Sequence, residues 1–153
     1  MRVENGATKL WVIGHQVTPI TVGGRVAAVD VVLSPGTPGP PPHLHPGAAE
    51  YFYVLDGSLE IMAGEEWTEV TAGDYFVVPG DVVHTFRMVG SEGARFITGW
   101  DPSGFEEFFF EAGVPADEPQ AFERSVSEEQ LDVAIESLSR LAEVAPPSPA
   151  PTG

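Results

Sequence analysis

Between Lys9 and Trp100 apolar and polar positions alternate in short runs broken by glycine and proline. The runs LWVIGHQV, RVAAVDVVL, EYFYVL, SLEIMA, YFVVP, VHTFRMV and ARFITGW are rich in β-branched and aromatic residues and read as strands. Breaks fall at Gly23-Gly24, Pro35 to Pro42, Ala63-Gly64, Ala72-Gly73-Asp74, Pro79-Gly80 and Ser91 to Gly93. Asp56-Gly57, between EYFYVL and SLEIMA, predicts a two-residue type I′ hairpin, because both central positions of that turn need positive φ. Seven or more short strands within about 90 residues predict a sandwich or small barrel.

After Trp100 the periodicity becomes helical. GFEEFFFEAG predicts a short helix ending at Gly113 with its apolar side against the barrel, so Phe105 and Phe108 to Phe110 are assigned to helix packing. From Ser127 onward, Leu131, Ile135, Leu138 and Ala142 fall at spacings that make one amphipathic face, with a capping box from Ser127 and Gln130 or from Ser125 and Glu128. The closing APPSPAPTG has nothing to bury and predicts a disordered tail. The chain thus divides into a barrel with a short helical cap over 1–115, a helical extension over 116–144 and a tail over 145–153.

Composition narrows the chemistry. A chain of 153 residues with 42% hydrophobic and 20% charged residues can bury one core, so a single folded domain is expected. Seven basic against 23 acidic residues, a formal charge of −16, set the surface against polyphosphates and anionic headgroups, which argues against nucleic acid and membrane partners. With no cysteine there are no disulfides or thiolate ligands, and any metal must sit on His, Asp or Glu. The start MRVENGATKL has no apolar signal core, and no run approaches the roughly 20 apolar residues of a membrane span, so a cytoplasmic protein is expected.

Two of the four histidines, His43 and His45, are two positions apart and would share one strand face. Glu50 lies five residues further, an odd interval that an unbroken strand would turn away; Pro46-Gly47 can reset the pleat and return it. A second Pro-Gly break, Pro79-Gly80, precedes His84 and offers a fourth inward ligand. Three imidazoles and a carboxylate suit one divalent transition metal, whether Fe, Ni, Mn, Co, Cu or Zn. On an octahedral ion they leave two positions open; on a tetrahedral zinc they leave none. His15 has no partner at ligand spacing and is set aside as exposed or hydrogen-bonded. Phe52 shares a face with Glu50, and Phe86 and Met88 share one with His84, so these three are the expected substrate-binding wall. Tyr51 and Tyr53 point outward, to pack under a helix or in a subunit interface.

The piece HLHPGAAEYFYVLDG, with His-x-His, four residues, Glu, six residues and Gly, resembles the first motif of the cupin superfamily. GDYFVVPGDVVHTF resembles the second, with Gly73, five residues, Pro79, and His84 five further on. The resemblance covers about Val31 to Trp100, with Asp81 where a glycine is usual and Met88 where an asparagine is often found. It implies an all-β double-stranded β-helix, the cupin jelly roll, with C-terminal helices, and a homodimer. It carries over His43, His45, Glu50 and His84 as metal ligands. The layout is similar to small single-domain quercetinases, whose helical cap DPSGFEEFFFEAGVP resembles. That implies a dioxygenase acting on an aromatic or enolisable small molecule, in which Glu50 also accepts a hydroxyl proton and the enolate reacts with O2. Two alternatives stay open: a non-redox metal-assisted isomerase, cyclase or decarboxylase of secondary metabolism, and a metal-dependent small-molecule binding module without turnover.

Overall fold

A computed structural model describes residues 8–21 and 24–146; Gly23 of the expected Gly-Gly turn and residues 147–153 of the expected tail lie outside the described residues. In chain order the elements are β1 (Leu10–Val12), β2 (His15–Thr21), β3 (Ala27–Leu33), β4 (His43–Leu44), β5 (Ala49–Asp56), β6 (Ser58–Ala63), β7 (Glu66–Thr71), β8 (Tyr75–Val78), β9 (His84–Met88), β10 (Ala94–Asp101), α1 (Glu107–Ala112), β11 (Val114–Pro115), α2 (Ala121–Ser125), α3 (Glu128–Leu141) and β12 (Glu143–Val144). The strands form two antiparallel sheets, one of seven strands in the order β11-β1-β2-β3-β10-β5-β8 and one of five in the order β12-β4-β9-β6-β7. This is a jelly-roll body with C-terminal helices. Alternation builds the core: Ala27, Val29, Val31 and Leu33 of β3, Phe52 and Val54 of β5, Phe96 and Trp100 of β10, and Leu59 and Ile61 of β6 point inward and are buried. Among the described residues no helix is long and apolar enough to cross a membrane.

The turns depart from expectation in two places. LWVIGHQV is two strands, because Ile13 and Gly14 take positive φ (49° and 77°) and form a two-residue loop with Val12 opposite His15. A β-branched residue rarely adopts that conformation, which hides the turn in an apolar run. Asp56-Gly57 does not close a hairpin: β5 pairs with β10 and β8 while β6 pairs with β7 and β9, so the chain crosses between sheets here. Gly57 has φ 74°, and a Cβ on it would stand 2.6 Å from the Gly93 carbonyl oxygen. The hairpin lies one strand later, at Gly64-Glu65 between β6 and β7, with positive φ on Gly64 alone as a type II′ turn requires.

The helices also differ in detail. Helix α1 starts three residues after Gly104 and stops at Gly113, whose φ of −84° is extended rather than left-handed. A Cβ on Gly113 would meet the Phe109 carbonyl oxygen at 2.3 Å, so close approach is what requires glycine there. Ser127 caps α3 by accepting from the Gln130 N–H at 3.3 Å, but the Gln130 amide donates to the Ala112 carbonyl at 2.7 Å instead of closing the box. The buried face of α3 is Ala134, Ser137 and Leu138, while Ile135 is 63% exposed. The extension ends in a strand: β12 pairs with β4, placing Val144 opposite His43, and the Ala145 N–H donates to the Pro42 carbonyl at 2.9 Å.

Candidate metal centre

Four side chains converge from three strands, His43 on β4 with His45 just beyond it, Glu50 on β5 and His84 on β9. β4 and β9 pair with His43 opposite His84, and Glu50 comes from β5 in the facing sheet. Between His45 and Glu50 the chain turns through Pro46-Gly47, with Gly47 at φ 68°. The Ala48 N–H donates to the His45 carbonyl at 3.2 Å, and the Asp81 N–H reaches the same oxygen at 3.3 Å. Thus the odd interval is resolved by a turn at Pro46-Gly47 that carries the chain to the facing sheet. Asp81 takes φ 66°, doing the conformational work of a glycine, and its carboxylate accepts from the Gly47 N–H at 3.0 Å. Aspartate tolerates that region better than most residues, and here it ties the two ligand-bearing turns together.

His43, His45, Glu50 and His84 are each no more than 4% exposed, and one ligand atom from each lies within 4.8 Å of the others. Their hydrogen bonds fix which ring nitrogens carry lone pairs. His43 Nδ1 donates to the Pro41 carbonyl at 2.8 Å and His84 Nδ1 to the Val82 carbonyl at 2.9 Å, leaving both Nε2 atoms free of hydrogen in the neutral rings. The Trp100 indole, a donor only, gives its N–H to His45 Nε2 at 3.2 Å, which leaves that ring's proton on a buried Nδ1 without a partner. His45 Nε2 and His84 Nε2 each stand 2.8 Å from Glu50 Oε2. Two ring lone pairs and a carboxylate oxygen at that distance repel one another, and a cation among them turns the contact attractive. The residues therefore fit one divalent transition metal.

Electrostatics agree with a site made for positive charge. Burial, reinforced by His84, pushes His43 down to about 4, so its ring is neutral at physiological pH. Burial alone would raise the Glu50 carboxyl, but pairing with His45 and His84, which holds only where those rings carry the proton a cation would otherwise replace, outweighs it and holds the group well below the usual carboxylate range. Burial would lower His84 too, yet the Glu50 carboxylate raises it. The backbone carbonyls behind His43 and His84 orient their rings as outer partners of metal-binding histidines do.

A cavity of about 310 Å³ opens on the cluster through His43 and Glu50. Among the described residues its remaining polar lining side chains are His15 and Thr98, the rest of the wall is apolar, and no lysine or arginine lines it. One side is barrel, including Val31, Phe96 and Trp100; the other is helix, including Phe105, Phe108 and Leu138. Phe105 sits against His45 with ring centroids 4.3 Å apart, so the helical segment touches the cluster itself.

Comparison with known proteins adds a resemblance. Residues 29–100 match the model of the cupin domain. The fold is a cupin fold. The chain is similar to the polyketide synthase CurC of Streptomyces cyaneus, 32% identical over 80 residues, or 52% of this chain and 52% of that protein. It is also similar to quercetin 2,3-dioxygenase of Bacillus subtilis (strain 168), 31% identical over 90 residues, or 56% of this chain and 27% of that protein. The chain thus spans about half the length of CurC and a smaller part of the dioxygenase. The structure of KdgF from Halomonas sp. covers 70% of this chain and 97% of its own, with a TM-score of 0.61 at 22% identity, a likeness of fold alone.

Within the cupin fold the structure brings His43, His45, Glu50 and His84 together and divides the expected substrate wall. Phe86 lines the cavity. Phe52 does not: it is 0% exposed and packs behind the wall, its ring 5.8 Å from Phe86 and 5.9 Å from Phe96. Met88 does not line it either, since it pairs with Leu59 further along β9. Sharing a strand face sets direction, not depth along the barrel. Phe105, Phe108 and Phe109 both pack together and wall the cavity, a role the sequence reading withheld from them. His15 is hydrogen-bonded as expected, accepting from the Ser34 N–H at 3.1 Å and donating to the Pro38 carbonyl at 3.2 Å, but it also lines the cupin cavity. Thr98 and Trp100 were missed, although they alternate with Phe96 on the inward face of ARFITGW.

Proposed function

We propose that this cupin is a metal-dependent dioxygenase of quercetinase type acting on an aromatic or enolisable small molecule. The observation that carries the reading is a buried three-histidine, one-glutamate cluster facing an apolar cavity of about 310 Å³. His43, His45, Glu50 and His84 would hold one divalent metal, which when bound supplies Lewis-acid stabilisation of a developing oxyanion. The cavity walls take up the apolar body of the substrate and exclude water, and their lining, without lysine or arginine among the described residues, disfavours phosphorylated or carboxylated guests. Glu50, ionised and at the cavity floor, accepts a hydroxyl proton from the guest, and the resulting enolate is the electron-rich partner for O2. Similarity to a protein named quercetin 2,3-dioxygenase supports this chemistry.

The similarity to CurC supports a second reading, in which the same base and the same polarising site rearrange or cyclise an enolisable substrate without oxygen. A homodimer belongs to the proposal as well: Tyr53, Tyr75 and Val77 form an exposed apolar patch on β5 and on the edge strand β8, suited to a second copy. The test is metal loading with each candidate ion, followed by O2 uptake with quercetin and related flavonols. Uptake coupled to flavonol loss is the expected result; product formed equally well under anaerobic conditions selects the second reading.

A further inference from the structure

The two oxygens of Glu50 have different partners. Oε2 faces His45 Nε2 and His84 Nε2, whereas Oε1 accepts from the Thr98 hydroxyl at 2.7 Å. Thr98 is 3% exposed, and among the described residues its hydroxyl is the one donor bonded to Oε1. That hydroxyl also stands 3.0 Å from the Tyr51 carbonyl, so it is wedged between the side chain of Glu50 and the backbone of the next residue. The wedge is held by the sheet: β10 runs beside β5 with Thr98 opposite Phe52 and Trp100 opposite Glu50. A carboxylate so held cannot swing Oε1 toward the histidines without breaking a buried, charge-assisted hydrogen bond.

We propose that Thr98 is a positioning residue that restricts Glu50 to one-oxygen ligation and so keeps two neighbouring positions on the ion free for a chelating, two-oxygen guest. The inference rests on the reading of the cluster as a metal site. The count is direct: three imidazoles and one carboxylate oxygen fill four of six octahedral positions, whereas a two-oxygen glutamate fills five and leaves one. Thr98 also lines the cavity, so the residue that restrains Glu50 borders the space a guest would occupy.

The test uses the full chain loaded with Co²⁺, with tropolone as the two-oxygen probe. Thr98→Val, which matches the shape but lacks the hydroxyl, is expected to change the visible Co²⁺ spectrum and to weaken tropolone binding by about tenfold or more. Thr98→Ser, which keeps the hydroxyl, restores both. A Val variant with the wild-type spectrum and wild-type tropolone affinity overturns the inference while leaving the metal site standing. Failure of the wild-type protein to bind Co²⁺ overturns both. X-ray absorption of the Co²⁺-loaded wild type decides the matter even if the Val variant does not fold, since two carboxylate oxygens in the first shell contradict the proposal and one supports it.

Discussion

The two sides of the cavity are built on opposite principles. On the barrel side, polar ligands are brought together by paired strands and glycine-like turns, and the rings of His43 and His84 are aimed by hydrogen bonds to backbone carbonyls. On the helical side, Phe105, Phe108 and Leu138 offer only apolar surface, held by one helix packing on another. The first side is specified by direction and can tolerate little movement; the second is specified by volume and, apart from Phe105, which touches His45, can be reshaped without disturbing the ligands. Chemistry and substrate choice are therefore separable, and substitutions on the two sides should have different signatures.

The largest effect belongs to the barrel side. His84→Ala removes the group paired across the sheet from His43 and one of the two imidazoles at Glu50 Oε2. Metal affinity is expected to fall about a hundredfold or more, measured by calorimetric titration with Co²⁺ or Ni²⁺. Unchanged affinity would mean that the four residues do not act as one site. Next comes Glu50→Gln, which keeps the size of the side chain and its contact with Thr98 while removing the charge. Some metal should be retained, but turnover should drop by about a hundredfold or more if the carboxylate is the base. Equal rates in the two proteins would reject that role and return Glu50 to ligation alone.

The same division explains what could be read before the coordinates. Ligand spacing is local: His43, His45 and Glu50 lie close together in the chain, Pro46-Gly47 between them announces the turn, and Pro79-Gly80 announces another before His84. The strand runs of β3, β5, β6 and β10 were visible because one face of each is buried and alternation records it. β7 was not, because EWTEVT is an edge strand exposed at all but Val70 and carries no apolar period. Asp56-Gly57 carried a correct signal for positive φ, but turn chemistry does not say which sheet the next strand joins. That Phe52 and Met88 stand outside the cavity lining was hidden for a related reason, since depth along the barrel depends on partners distant in sequence. The helical wall was legible as helix and illegible as a cavity.

The helical side supplies the contrast. Leu138 is nearly buried on α3 and lines the cavity, so Leu138→Ala should destabilise the fold by about 2 kcal/mol, the low end for such truncations because the lost volume borders an existing space. Urea unfolding measures that loss, and Co²⁺ affinity measured on the same variant should stay within about twofold of wild type, well under the tenfold that 1.4 kcal/mol would make. A large loss of metal affinity would show that the helical wall supports the ligands after all, and the separation argued above would fail.

The smallest effect tests how the wall is fastened. On the solvent side of the α1–α3 contact, Glu111 accepts from Ser137 Oγ at 2.6 Å and pairs with Arg140. The Ser137 hydrogen bond, followed by Arg140, holds the Glu111 carboxyl below its ordinary range. A carboxyl lowered in the folded state stabilises it above the ordinary carboxylate pKa, and that contribution disappears as pH falls through the lowered value. Because the group is exposed, the effect is small and screened by salt. Glu111→Gln should therefore melt slightly below wild type at neutral pH, with the gap closing as both are acidified. A gap that stays constant with pH would assign the contact to packing and hydrogen bonding without charge, and would leave the helical wall fastened by apolar surface alone.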